Sequence, residues 1–260
     1  MIIPIFQVDA FTSQLFKGNP AAVCPLDAWL DDSLLQSIAA ENNLSETAFF
    51  VKKNGYYEIR WMTPVKEVDL CGHATLASSF VIFEYLERQV NRIVFQSKSG
   101  QLIVEKENSL ISMNFPAFLP ESCEAPAELL EALNPEPVEV LFHKSFVAVF
   151  DSEEAIRLME PRIDLFLSLD AEGVIITAQG ESADFVSRVF APNFGIDEDP
   201  VTGFAHTILT PYWAERLKKT KLHAFQLSKR GGELFCEYLG ERVKISGEAV
   251  LYSTGKIFIP

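Results

Sequence analysis

Hydrophobic positions change period around two short polar stretches of the chain. Tyr57, Ile59 and Trp61 alternate with Glu58 and Arg60 as in a half-buried strand, whereas Leu76, Phe80, Phe83 and Leu86 recur at helical spacing with no Gly or Pro between them. Between the two patterns stands Asp69-Leu70-Cys71-Gly72-His73-Ala74-Thr75. The pattern predicts a strand–loop–helix junction with Gly72 and His73 at a helix N-terminus. The first N–H groups of a helix have no partner inside it and can receive an anion. Gly72, without a Cβ, lets a ligand approach the backbone. The design recurs: Val186-Ser187-Arg188-Val189-Phe190-Ala191-Pro192 echoes Glu58-Ile59-Arg60-Trp61-Met62-Thr63-Pro64. A loop follows, then Asp199-Pro200-Val201-Thr202-Gly203-Phe204-Ala205-His206, then a helical pattern through Leu209, Trp213 and Leu217. Matching Pro64 with Pro192 also lays Glu46-Thr47-Ala48-Phe49 on Val174-Ile175-Ile176-Thr177. A repeat this long exceeds a solenoid unit. It predicts two similar domains whose helix N-termini face one cleft.

The remaining elements follow the same signals. Strands are expected over 3–11, 21–24, 46–51 and 56–62, the last two joined by the hairpin signal Asn54-Gly55, with a turn at Gly18-Asn19-Pro20. Leu34, Leu35, Ile38 and Ala39 predict an amphipathic helix over 30–40 with Asp31 or Asp32 as its cap. After a helix over 73–88, strands are expected over 92–96, 101–106 and 110–115. The stretch 116–137 carries five prolines around a short helix at 127–133, and marks the domain boundary. The second half predicts strands over 138–142 and 146–150, a helix over 153–159, strands over 173–177 and 183–190, and a helix over 205–217. Four closing strands are expected near 224–227, 233–238, 242–246 and 249–253. The fold class is therefore α+β: two pseudo-symmetric domains, 1–115 and 116–260, each a curved, mostly antiparallel sheet around a central helix, with a last strand at about 250–260 able to pack back on the first domain.

Composition narrows the function classes. With 260 residues, 48% hydrophobic and 22% charged, the chain can build two modest cores. The formal net charge of −14 and the lack of a Lys/Arg cluster argue against nucleic acid and anionic membranes. No apolar run approaches a membrane span, and the apolar start at Met1-Ile2-Ile3-Pro4 is too short for a signal peptide. Cys24, Cys71, Cys123 and Cys236 are scattered, which suggests neither a zinc site nor a disulfide framework, and the cytoplasm is the expected location. His143, His206 and His223 have no ligand spacing, and dinucleotide, P-loop and nucleophile-elbow motifs are missing, so no metal and no cofactor is expected.

Four kinds of residue carry candidate chemistry. Glu46 starts a strand beside Leu44, Ala48, Phe49 and Phe50, where a partly desolvated carboxylate suits proton transfer, although a strand-end Glu can equally reach into water. His73 either serves a site or hydrogen-bonds a nearby carbonyl. Asp69 and Asp199 precede the two helices, where carboxylates cap or complement the dipole; Asp199 lies in the loop expected to face the cleft. Cys71 is either a reactive thiol at a helix N-terminus or a buried inert one.

Six ordered blocks then resemble a known family. They are Val8-Asp9-Ala10-Phe11-Thr12, the Gly18-Asn19-Pro20-Ala21-Ala22-Val23 run, Asn43-Leu44-Ser45-Glu46-Thr47-Ala48-Phe49, Arg60-Trp61 with Thr63-Pro64, Glu67 through Thr75, and Glu198-Asp199-Pro200-Val201-Thr202-Gly203. Together, over nearly the whole chain, they closely resemble the phenazine-biosynthesis PhzF-like isomerases, which share the diaminopimelate epimerase fold. The resemblance implies an active site between two pseudo-symmetric domains and no cofactor. It implies Glu46 as acid/base, His73 and Asp199 as its catalytic partners, and a substrate site at Asp69, Cys71, Gly72, Thr202, Gly203 and Phe204. Phe204 stands where the phenazine-pathway enzyme looks to have a Ser, so this substrate is expected to differ. The epimerases proper use two opposed cysteines; Cys71 occupies one position and Thr202 the other, so two-thiol racemisation is not expected. The reading is an isomerase that relocates a proton on a small anionic carboxylate in a biosynthetic process, with homodimer assembly. A racemase or epimerase using Cys71, or a non-catalytic small-molecule binder on the same fold, stands as the alternative.

Overall fold

In the computed structural model, residues 1–259 are described. The chain divides into two compact units, one formed by Met1–Phe115 with the chain from Ser246 onward, the other by Pro116–Ile245. In the first unit β1 (Ile2–Ala10) and β2 (Asn19–Leu26) are followed by α1 (Asp32–Asn42), β3 (Glu46–Lys52), β4 (Tyr57–Met62), β5 (Glu67–Val68) and α2 (Gly72–Val81). A π-helical turn, Ile82–Leu86, extends α2, and β6 (Arg92–Ser97), β7 (Gly100–Glu107) and β8 (Leu110–Pro116) follow. The second unit holds β9 (Glu121–Ser122), α3 (Ala127–Ala132), β10 (Glu139–His143), β11 (Ser145–Val149), α4 (Glu153–Leu158), α5 (Ile163–Phe166), β12 (Val174–Gln179) and β13 (Phe185–Ala191). A 3₁₀ turn, Pro192–Phe194, leads to β14 (Ile196–Asp199), α6 (Gly203–Leu217), β15 (Lys221–Gln226), β16 (Gly232–Tyr238) and β17 (Arg242–Gly247). The closing strand β18 (Ala249–Phe258) runs antiparallel to β1, from Ala10 opposite Ala249 to Ile2 opposite Phe258.

Each unit repeats one pairing scheme. β1 and β2 are antiparallel, β2 and β3 parallel, β3 and β4 antiparallel, and β4 pairs antiparallel with the short β5 and parallel with β6, which continues antiparallel to β7. β10 to β16 run through the same sequence, with β14 in the place of β5. Within this scheme each unit has two parallel pairs, each made where a helix carries the chain back. The main helices α2 and α6 pack on these strands, α2 on β1, β2 and β3, and α6 on β15 and β16. Each unit closes its own core: Leu35, Phe49 and Met62 meet in the first, and Leu129, Ile156, Phe166 and Phe190 in the second. A fully buried side chain of this size contributes about 1.5–3 kcal/mol.

Several details depart from the sequence pattern for identifiable reasons. Helix α1 starts at Asp32, and its N-cap Asp31 makes no side-chain cap bond; the helix is held by its buried face and ends on left-handed Asn43, whose N–H reaches Ala39 O at 3.1 Å. Strand β2 already begins at Asn19, so the turn falls earlier, and Gly18 is required there: its φ is +64°, and a Cβ would sit 2.2 Å from Ala10 O. The expected 73–88 helix gives way to a π turn after Val81. Asp199, expected in a loop, ends the short strand β14, pairing with Val189. Pro211 lies inside α6 and supplies no N–H to Thr207 O; Phe118 N–H takes that place at 3.1 Å and ties the linker to the helix.

The ladder register also corrects the repeat. Phe49 stands opposite Arg60, and Ile176 opposite Arg188. Counting back to the strand starts aligns Glu46 with Gly173 instead of Val174. A Cβ on Gly173 would lie 2.5 Å from the carbonyl oxygen of Phe190. The second unit therefore has no room for a side chain where the first carries its carboxylate.

Candidate active site

Parallel pairing of β2 with β3, with Ala21 opposite Glu46, brings the starts of both strands to one end of the sheet. Asn19 opens β2 and Glu46 opens β3, and the first turn of α2 lies against them. Cys71 is the N-cap of α2, in extended conformation and without a side-chain cap bond, and Gly72 and His73 follow. Three of the residues singled out in the sequence converge here. His73 Nε2 lies 3.1 Å from Glu46 Oε2, and its Nδ1 lies 3.6 Å from Cys71 Sγ. Asn19 Nδ2 approaches the same Nδ1 at 3.2 Å. Glu46, Cys71 and His73 are 9%, 7% and 5% exposed. The Glu46–His73 contact has ion-pair distance but not hydrogen-bond alignment, so both atoms keep bonding capacity for another group.

Burial and charge oppose each other at this cluster. Burial works against charge on His73, yet Cys71 and Glu46 hold its pKa well above the ordinary imidazole value. Burial first, and then the Glu46 carboxylate, push the Cys71 thiol up, with His73 partly offsetting them. A thiol raised in this way keeps its proton at neutral pH, so the carboxylate is the partner on which the His73 charge rests. The arrangement is a buried carboxylate–imidazole pair able to exchange a proton with a third group, beside the N–H groups of a helix start. Asp69 does not join it: it lies on an exposed turn where its carbonyl accepts the Ser99 hydroxyl at 2.8 Å.

The donor set also bears on metals. The sequence predicts no metal site, because the cysteines are scattered and His143, His206 and His223 have no ligand spacing. The fold nonetheless places one ligating atom of each of Glu46, Cys71 and His73 within 4.8 Å of the others. Spacing could not show this, because Glu46 arrives from strand β3 and the other two from the start of α2.

The second unit brings together a different group. Thr202, the N-cap of α6, donates its hydroxyl to Asp199 Oδ2. Gln226 braces both: Thr202 N–H donates to its Oε1 at 2.8 Å, and its Nε2 donates to Asp199 O at 2.7 Å. Gly203 begins α6, and Phe204 is half-buried among Phe118, at 6.0 Å between rings, and Lys144, whose Nζ lies 5.9 Å from the ring centre. His206 lies one turn on, with Nδ1 2.8 Å from Thr202 O and Nε2 buried without a partner; burial lowers its pKa to about 4. It is thus neutral, with the proton on Nδ1 donated to the carbonyl.

Sequence reasoning missed three contributors: Asn19, Gln226 and a repeated arginine clamp. Arg60 binds both oxygens of Glu67 at 2.8 Å, and Arg188 binds both oxygens of Glu198 at 2.6 and 3.1 Å. The clamps pin β5 to β4 and β14 to β13, the segments that lead into α2 and α6. The Arg60 guanidinium holds the Glu67 carboxyl down to about 2 against the effect of burial, with Lys98 adding to it. The signal was present: an Arg four residues before Pro in each half, and a Glu shortly before each helix.

The chain is similar to known proteins over its whole length. Residues 8–255 match the family described as phenazine biosynthesis-like protein. An uncharacterized isomerase of Pseudomonas aeruginosa is 52% identical over 259 residues, covering 100% of both chains. The crystal structure of a phenazine biosynthesis protein of the PhzF family from Enterococcus faecalis is 45% identical, covers 100% of both chains and superposes with a TM-score of 0.97. The fold alone is shared with a hydroxyproline epimerase from Agrobacterium vitis, at 8% identity, a TM-score of 0.63, and 98% of this chain and 92% of that one covered. Among the described residues, no helix is long and apolar enough to cross a membrane.

Proposed function

The chain belongs to the phenazine-biosynthesis-like family, with its epimerase-like fold, and from that premise we propose that it is a cofactor-independent isomerase that relocates a proton on a small carboxylate substrate. The observation that carries the reading is the buried Glu46–His73 contact beside the first turn of α2. In this reading Glu46 takes a proton from an activated carbon and returns it to another carbon of the same molecule. His73, with its raised pKa, supplies a positive partner for charge that develops on the substrate. The backbone N–H groups of Gly72 and His73 receive the carboxylate, aided by the dipole of α2. In the second unit Thr202 and Gln226 hold Asp199 in place. The rival with Cys71 as a racemising base is disfavoured by burial, which raises the thiol. The position opposite it in the repeat is Thr202, whose hydroxyl is committed to Asp199.

The test begins with a thermal-shift screen of small carboxylic acids, because a ligand that binds only the folded state raises its stability. Exchange of the ligand's C–H with solvent deuterium is then measured in wild type and Glu46→Gln. Loss of about 10²–10⁴-fold in exchange, with ligand affinity changed by about 1 kcal/mol or less, is expected. Exchange at near wild-type rate in Glu46→Gln would remove Glu46 as the base. Turnover abolished by Cys71→Ala alone would favour the racemase.

A further inference from the structure

We propose that Glu46, Cys71 and His73 form a binding site for a thiophilic divalent cation such as Zn²⁺ or Cd²⁺, and that the bound ion ties up the groups otherwise available for proton transfer. Three observations carry the inference. The donor set is a thiol, an imidazole and a carboxylate, the ligand types zinc takes in sites that keep a fourth position open. One ligating atom of each lies within 4.8 Å of the others. The 3.6 Å from Cys71 Sγ to His73 Nδ1 equals one edge of a zinc tetrahedron, which Zn–S of about 2.3 Å and Zn–N of about 2.0 Å set at about 3.5 Å.

The adjustments needed are small and local. Binding at Nδ1 displaces the Asn19 amide from that nitrogen. The carboxylate of Glu46 now lies at the Nε2 edge of the ring and must swing about its side-chain torsions toward Nδ1. The movement gives up the 3.1 Å contact of its Oε2 with His73 Nε2, which is not an aligned hydrogen bond. Cys71 makes no full side-chain cap bond to α2; its sulfur faces the Ala74 N–H of the first turn, a contact that a metal-bound thiolate can keep as acceptor. On binding, the thiol proton and any proton on Nδ1 leave to solvent, and the ion's charge is met by the thiolate and the carboxylate. No redox step is involved. The binding goes beyond the isomerase reading and is read without turnover; only the statement that the ion ties up proton-transfer groups rests on that reading.

The experiment titrates the metal-free, reduced protein with Cd²⁺ alone and follows the sulfur-to-cadmium charge-transfer absorbance. One equivalent per chain is expected. The band is expected to persist in Cys123→Ser, which removes a half-buried thiol elsewhere, and to vanish in Cys71→Ser. Glu46→Gln and His73→Gln keep Cys71 and should show the band with affinity weakened by about 10-fold or more. A band that persists in Cys71→Ser, or no band with wild type at one equivalent, overturns the proposal. If Cys71→Ser does not fold, as thermal unfolding would show, the other two variants decide: unchanged affinity in both also overturns it.

Discussion

The two units are built on one plan and diverge at the same place. Each pairs its strands in the same order, each pins a short strand with an arginine–glutamate clamp, and each then starts its main helix on a glycine directly after the N-cap residue. At that helix start the first unit gathers ionisable groups: a carboxylate, a thiol and an imidazole whose pKa is raised. The second gathers a braced Thr–Asp–Gln network and a neutral histidine whose pKa is lowered. The difference begins in the sheet. Where β3 opens with Glu46, the aligned residue is Gly173, pressed against the Phe190 carbonyl. The duplicated scaffold thus carries a buried carboxylate at this position in the first unit and no side chain in the second, which gathers groups suited to hydrogen bonding.

The sharpest test of this contrast is pH. Between the unfolded value of about 6.5 and its folded value of about 4, buried His206 binds fewer protons in the native state than in the unfolded one. Stability therefore falls as pH is lowered through that window, by on the order of 3 kcal/mol from this residue. Denaturant unfolding between pH 7 and 4 should show a visibly shallower loss in His206→Gln. His73 has the opposite sign. Its folded pKa is raised, so its contribution is complete below the unfolded value and is lost as pH rises through the folded one. Replacing His73 should leave the acid limb unchanged.

A second test asks whether the second unit can accept a side chain at the aligned position. Gly173→Ala should cost about 1–3 kcal/mol, because the added methyl meets the Phe190 backbone rather than a yielding side chain. Denaturant midpoints measure it, and a neutral substitution would show that the strand shifts freely. The smallest expected effect concerns the shared clamps. Arg188 also donates to the carbonyls of Ile156 and Met159, at 3.2 and 2.6 Å, while the further partner of Arg60 is the exposed Asp32. Arg188→Ala should therefore destabilise more than Arg60→Ala, by about 1 kcal/mol, since it strands two buried carbonyls as well as Glu198. Equal losses would mean that these carbonyls find water.

The sequence by itself determined much of this protein. Period and turn residues placed β3, β4, α2, β13 and α6 within a few residues, because hydrophobic spacing and chain-terminating residues act locally. The repeat of Arg188 and Pro192 on Arg60 and Pro64 disclosed the duplication, and ordered motifs disclosed the family. Glu46, Cys71 and His73 were each legible as candidates. Only the tertiary structure decided that they meet, because parallel pairing of β2 with β3 is a long-range contact that brings residues from three elements to one helix start. It also decided the one-residue register that puts Glu46 over Gly173, since sequence matching cannot see which residues face each other across a ladder. The opposite shifts of His73 and His206 were likewise invisible in the chain. Both are buried histidines near a helix start, and what separates them is the partner that packing supplies: a carboxylate for one, a backbone carbonyl for the other.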